Sequence, residues 1–335
     1  MPRQTSFVFI PGSWHKPSCY DKIIEPLQVR HHLRCVPVTL PSTMDDPMAT
    51  FKDDIDATRY AIINEMDKGS DVIVVAHSYG GMVGNSAVKG LTRPVPVSAE
   101  TSPSNKSSSR TPMSDVRDLG KGFVVGLILI ATGFTLTGIA FMDPFFGHPP
   151  PSWRINKETG FADLVVRPQE LFYHDLPPAE ADEQASMLTT QSLKALFEGG
   201  EHAYSGWLDV PVWYIGTIDD NGLPIAVQRI QVGMARAMGG NVVHTEMRTS
   251  HSPFLSQPAQ VMQIFLQAFQ AFTGQGSHDR LGVLEMVTGQ GLPVVKLWQP
   301  ITWYRFGLPL GVGNVIGWSI ISYRRVRGLW ESLFR

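Results

Sequence analysis

The stretch "VIVVAHSYGGMVG", residues 72–84, decides the reading of this chain. Its first half is β-branched and uninterrupted, which suits a strand covered on both faces. Its second half is rich in small residues and reads as the start of a helix. Ser78 falls between them, on a sharp strand-to-helix turn. That geometry is a nucleophile elbow, in which a strained backbone pushes a hydroxyl out above a sheet. Gly80 and Gly81 let strand and helix approach closely. Ala76 stands where glycine is usual, and a methyl group is about the largest substituent such a crowded position tolerates. Serine is also a favoured helix N-cap, so the rest of the chain must decide between the two roles.

The chain has 335 residues, 43% of them hydrophobic, with 28 basic and 30 acidic side chains and a net charge of -2. That composition supports a sizeable core and gives no electrostatic basis for a nucleic-acid partner. The two cysteines, Cys19 and Cys35, make no disulfide framework and no C-x-x-C site for metal or redox work. "SFVFI" near the start is too short for a signal-peptide core and reads as a first strand, so the expected setting is cytoplasmic.

Strand-like runs recur at residues 6–10, 33–38, 71–76, 123–131, 212–216 and 241–247. Helical patterns at 52–66, 224–238 and 258–272 lie between or after them. This alternation predicts βαβ units: an α/β fold with a mainly parallel sheet flanked by helices. The core is expected in two parts, 5–133 and 210–273. Residues 92–118, rich in Ser, Pro and Thr, predict a disordered surface insertion in the first part. Residues 134–209 predict a helical cap inserted between core strands, with scattered aromatic side chains. Residues 275–335 form a tail of unassigned role.

A serine hydroxyl needs a base to take its proton and a third group to orient that base. Of the ten histidines, His251 stands out, in "RTSHSPFLSQP" after the last strand. In a parallel sheet that loop emerges at the same edge as the elbow. The acid should follow another strand end, and "PVWYIGTIDDNGLP" supplies Asp219 and Asp220. The oxyanion would be held by two backbone N–H groups. One is that of Tyr79, directly after the nucleophile. The other is that of Ser13, in the loop "FIPGSWH" that Gly12 allows to turn close to the site. The order Ser, Asp, His is the one found in α/β-hydrolases.

These residues resemble the α/β-hydrolase superfamily. They are most similar to its compact group of plant methyl esterases, hydroxynitrile lyases and related microbial and fungal esterases. "FVFIPGSWH" resembles the first strand and H-G-x-x-H loop of that group, with Pro11 in place of histidine. "AHSYGG" resembles its elbow, and "SHSPFLSQP" its terminal histidine loop. "IDDNGLP" fits its D-x-x-[IL]-P pattern, which implies Asp220 over Asp219. "FYHDLPPAEAD" and "QSLKALFEGGEHAY" are similar to the cap of its fungal members. The resemblance spans residues 5–273 apart from the insertion, and it implies a hydrolase with no cofactor and no metal.

The reading is therefore a serine hydrolase that cleaves a carboxylic ester, thioester or lactone of a small to medium apolar substrate through an acyl-enzyme. Trp14, His15, Phe172 and Tyr173 are the candidate pocket residues. The alternatives are a lyase, decarboxylase or cyclisation catalyst in the same pocket, or a non-catalytic ligand receptor. The lyases of this group need a lysine near the terminal histidine; Ser252, Pro253 and Phe254 here argue against cyanohydrin chemistry. In the tail, residues 306–323 are apolar and are followed by Arg324, Arg325 and Arg327. Pro309, Asn314 and four glycines weaken a spanning helix. The first expectation is that the tail packs on the hydrolase domain or stays loosely ordered. The second is peripheral membrane contact through residues 306–330.

Overall fold

The computed structural model describes residues 3–93, 120–274 and 299–333. From residue 94 onward the expected disordered insertion lies outside the described residues, as do residues 275–298 of the tail.

Six strands form one parallel sheet: β1 (Thr5–Ile10), β2 (Arg34–Pro37), β3 (Asp71–His77), β4 (Val124–Ile130), β7 (Val212–Thr217) and β8 (Val242–Met247), in the order β2-β1-β3-β4-β7-β8. Each run read as a strand forms one, within a residue or two at either end. Every residue of β1, β3 and β7 is buried, as strands covered on both faces require. Side chains alternate along β1. Phe7 and Phe9 meet Phe265 of helix α9 (Pro258–Thr273) on one face. On the other face, Ile10 lies against Gly84 of helix α3 (Tyr79–Ala87). Helix α1 (Asp21–His31) joins α9, and helix α2 (Phe51–Asp67) joins α3, which completes a three-layer sandwich.

Helix α2 opens with a capping box in which Thr50 and Asp53 bond each other's backbone N–H. Near its other end, the buried Glu65 ties three elements together. It accepts from Ser6 of β1 at 2.8 Å, from Arg34 Nη2 of β2 at 2.9 Å and from Lys68 at 2.7 Å.

Between β4 and β7 the chain leaves the sheet. This insertion is not uniformly helical. An antiparallel hairpin, β5 (Trp153–Asn156) with β6 (Phe161–Leu164), precedes three short helices. These are α4 (Pro168–Phe172), α5 (Pro178–Ser186) and α6 (Leu193–Phe197). Neither β5 nor β6 carries a continuous apolar run, because only one face of the hairpin meets the core.

Helix α7 (Ile225–Ala237) precedes β8, the short helix α8 (Pro253–Ser256) follows it, and a last helix, α10 (Leu308–Leu333), packs along α7. Most of the features expected to weaken α10 have a place. Pro309 comes just after a π-helical turn, Trp303–Gly307, where the regular ladder of backbone bonds is already interrupted. Asn314 Nδ2 donates to the Leu310 carbonyl at 2.9 Å. A Cβ added at Gly313 would stand 2.1 Å from the Ile230 carbonyl oxygen, and one at Gly317 2.7 Å from the Ala237 Cβ. Gly313 and Gly317 are contact points with α7, whereas a Cβ at Gly311 would meet nothing within 4 Å.

Burial alone would raise the Glu65 pKa; its bonds to Arg34, Lys68 and Ser6 outweigh that and bring it from 4.5 to about 2. The folded state therefore binds this proton less readily than the unfolded chain does. The stability involved is fully present above pH 4.5 and disappears as pH falls through about 2. Allowing for screening at the half-exposed Arg34 and Lys68, Glu65→Gln should cost about 2 kcal/mol at pH 7. The difference from the parent should shrink to nothing near the acid end. Chemical denaturation at a series of pH values measures both, and a deficit independent of pH would refute the ion-pair account.

Candidate active site

β3 delivers Ser78 to the turn with φ 51° and ψ -126°, a conformation that L side chains rarely adopt. The peptide is clamped there. Its N–H donates to the Ile130 carbonyl at 3.0 Å. Its carbonyl accepts from Thr132 Oγ1 at 2.6 Å and from the Gly81 N–H at 2.9 Å. A Cβ at Gly80 would stand 2.2 Å from the Pro11 carbonyl oxygen, and one at Gly81 2.1 Å from Thr132 Oγ1. Both glycines are therefore obligatory. Ala76 is accommodated because it faces Gly84, where an added Cβ would already lie 3.1 Å from the Ala76 methyl.

The loop after β8 brings His251 to the same edge, and the loop after β7 brings Asp220. His251 Nδ1–H donates to Asp220 Oδ2 at 2.8 Å, and both side chains are buried. The second carboxylate oxygen accepts the N–H groups of Gly222 and Leu223 at 2.7 and 2.8 Å. Thr217 Oγ1 and Gln228 Nε2 donate to Oδ2 at 2.6 and 3.1 Å. Burial opposes ionisation of Asp220, but the His251 charge and these hydrogen bonds prevail and hold it below its ordinary pKa. Asp219, by contrast, points outward to Arg248 at 3.2 Å.

Ser13 lies beside the elbow. A Cβ added at its neighbour Gly12 would stand 3.0 Å from both His77 Nδ1 and the Ser78 Cβ. The Tyr79 N–H opens α3 and so has no acceptor within the helix. The Tyr79 side chain is anchored away from the site, its hydroxyl donating to Asp54 Oδ2 at 2.7 Å.

Ser13, Trp14, Ser78, Phe172 and His251 line a cavity of about 230 Å³. Its remaining walls are largely apolar, from Met82, Phe134, Phe141, Trp153, Leu223 and neighbours. His15 and Tyr173, expected as pocket residues, are instead withdrawn behind this wall. His15 Nδ1–H donates to the Ser13 carbonyl at 2.7 Å, and Tyr173 donates its hydroxyl to His15 Nε2 at 2.7 Å. Both ring nitrogens are thus occupied, and burial lowers the His15 pKa to about 4.

Sequence reasoning missed His77. Its Nε2–H donates to the carbonyl of His251 at 2.9 Å, which fixes the histidine loop against the elbow. Burial first, then the neighbouring His251 and His15, keep it neutral. Its position directly before Ser78, at the last residue of a buried strand, was the available signal. Among the described residues no cluster of three or more His, Cys, Asp or Glu side chains could hold a metal ion.

A strained serine, a histidine and an acid lie at one sheet edge, and the comparisons give the family. The model of the alpha/beta hydrolase family matches residues 7–264. The chain belongs to that family and is a hydrolase-type enzyme. It is similar to the alpha/beta hydrolase nvfD of Aspergillus novofumigatus (strain IBT 16806), with 26% identity over 78% of this chain and 96% of that protein. In fold it is similar to a pyrethroid hydrolase from Sphingobium faniae JZ-2, with TM-score 0.56 and 20% identity over 82% of this chain and 99% of the other. Polyneuridine aldehyde esterase gives TM-score 0.58 and 18% identity over 80% of this chain and all 100% of its own.

The two neighbouring acids separate cleanly by substitution. Asp220→Asn should lower turnover about 10³-fold or more, because the histidine loses the acceptor that fixes its tautomer. Asp219→Asn, which touches only a surface pair, should stay within about twofold of the parent. Steady-state kinetics with an activated ester decide it; the opposite ranking would show that Asp219 is the acid.

Proposed function

We propose that the chain is a serine hydrolase that cleaves a carboxylic ester, or a thioester or lactone, through an acyl-enzyme. The observation that carries this reading is Ser78, held at φ 51° on the floor of an apolar cavity that His251 also lines. The strained turn lifts the hydroxyl clear of the strand, where a carbonyl carbon can reach it. His251 takes the Ser78 proton on Nε2 as the Oγ–C bond forms. Its Nδ1–H stays on Asp220, whose depressed pKa keeps it a carboxylate and a counter-charge to the imidazolium. The backbone N–H groups of Ser13 and Tyr79 receive the oxyanion. Collapse of the tetrahedral intermediate expels the alcohol or thiol, which takes the proton from His251. Water then repeats the sequence on the acyl-enzyme and releases the acid.

The cavity supports an apolar substrate of modest size. Trp14, Phe134, Phe172 and Trp153 offer aromatic surface and few polar partners away from Ser78. The esterase and hydrolase names of the similar structures agree with ester chemistry.

Ser78→Ala should reduce ester hydrolysis about 10³-fold or more, and His251→Ala nearly as much. The double variant should be no worse than Ser78→Ala, because the two residues disable one unit. A fluorophosphonate probe should label the parent and not the Ser78 variant. Ser78→Ala within tenfold of the parent would overturn the nucleophile. Labelling without turnover of any ester in a panel of aryl, alkyl and thioesters would favour a lyase or a receptor.

A further inference from the structure

Helix α10 has two faces of different kinds. The inner face is glycine-lined and pressed on α7, as the close approaches at Gly313 and Gly317 require. It is also locked at one end. Arg229 of α7, paired with Glu246 through two bonds of 2.7 Å, donates to the Arg305 carbonyl at 2.7 Å, and its guanidinium lies 4.0 Å from the centre of the Phe306 ring.

The outer face is apolar and bare. At about 100° per residue, Leu308, Val312, Val315, Ser319, Ser322 and Val326 make the outermost line, opposite the two glycines. Leu308 is 57% exposed, Val315 67% and Val326 65%. Trp303, Tyr304 and Trp318 extend the patch, and an apolar groove runs from Trp303 to Ile316. Water is a poor partner for the apolar part of this surface, from Trp303 to Trp318.

Charge selects the occupant. From residue 286 to residue 330 the sequence has no Asp or Glu, while Arg305, Arg324, Arg325 and Arg327 fall in that interval. Arg325 falls beside the outermost line, next to Val326 on it. Long side chains placed so can reach headgroups while the apolar line enters the acyl boundary. A second copy of this face would bring arginines and no carboxylates to meet them. The whole stretch Pro300–Arg327 is long enough to cross a bilayer. A crossing, however, would strip Gly313 and Gly317 from α7 and uncover the buried Arg229–Glu246 pair.

We propose that α10, with the turn before it, attaches the protein to an anionic lipid bilayer, lying in the interface with its outer line turned into the lipid. α7 carries both the seat of α10 and two residues of the pocket wall, Val227 and Gln231. Attachment therefore puts the cavity one helix away from lipid, where apolar esters partition.

The test is co-sedimentation of the full chain with vesicles of phosphatidylcholine alone or with phosphatidylserine, at low and high salt. The full chain should pellet with the anionic vesicles, several-fold less with neutral ones, and less again at high salt. Arg325→Gln should weaken partitioning about fivefold. Val312→Ser with Val315→Ser should weaken it about as much, without changing the salt dependence. Unchanged thermal unfolding midpoints would show that both variants are folded. Equal recovery in the supernatant with and without anionic vesicles would overturn the proposal. So would extraction by detergent only, which means a span. A dimer in light scattering that the valine variants abolish, without vesicle binding, would assign the face to a second copy instead.

Discussion

The architecture turns on a single peptide held in an unfavourable conformation. Ser78 at φ 51° carries a strain of about 1–3 kcal/mol, which persists only where the surroundings over-determine the backbone. Here they do so from three sides. β4 takes the Ser78 N–H and supplies Thr132 to its carbonyl. The β1 loop approaches through Gly12 and Pro11, so closely that Gly80 can carry no side chain. The helix that follows offers Gly81 to the same carbonyl. Every central strand therefore contributes to the turn, and the parallel order β1-β3-β4 is what places those contributions at one edge.

The second constraint is electrostatic. Three imidazoles crowd the edge: His77 lies 4.6 Å from His251, centre to centre, and His15 lies 5.8 Å from His77. If all three carried charge, the site would repel itself in a dry environment. His15 and His77 are kept neutral by burial, which outweighs the opposite pull of their bonds to carbonyl oxygens. Of the three, His251 alone meets a carboxylate. Two of the rings thus act as struts, and the third faces the carboxylate. His15 also holds the Ser13 carbonyl, in the loop after β1.

Much of this was legible in the sequence. A β-branched run ending in serine and glycine can be read from steric size alone, and the six strands follow from their apolar runs. The choice between Asp219 and Asp220 rested on a resemblance, because adjacent residues in a turn differ in direction and not in chemistry. Direction was the general blind spot. "SWH" shows an aromatic and an imidazole near the site, but not that Trp14 at φ 62° turns its neighbour His15 away from the cavity. The β5–β6 hairpin escaped notice because a strand wet on one face carries few apolar residues. The glycines of α10 read as helix weakeners because their partner, α7, lies some eighty residues upstream. Close backbone contact over that distance leaves no local pattern.

Helix α7 is where the two halves of the molecule meet. One side shows Val227 and Gln231 to the cavity, and Gln231 Oε1 accepts the Phe134 N–H at 3.1 Å. A second side carries Gln228, whose amide donates to Asp220 and Thr217 while its oxygen accepts the Thr217 N–H at 3.1 Å. The third side seats α10 through Arg229, Ile230 and Gly233. The helix is thirteen residues long, so these three functions sit within about two turns of each other. Packed backbones transmit displacement because they leave no space in which to absorb it. One helix thus holds the carboxylate through Gln228, the cavity wall through Gln231 and α10 through Gly233.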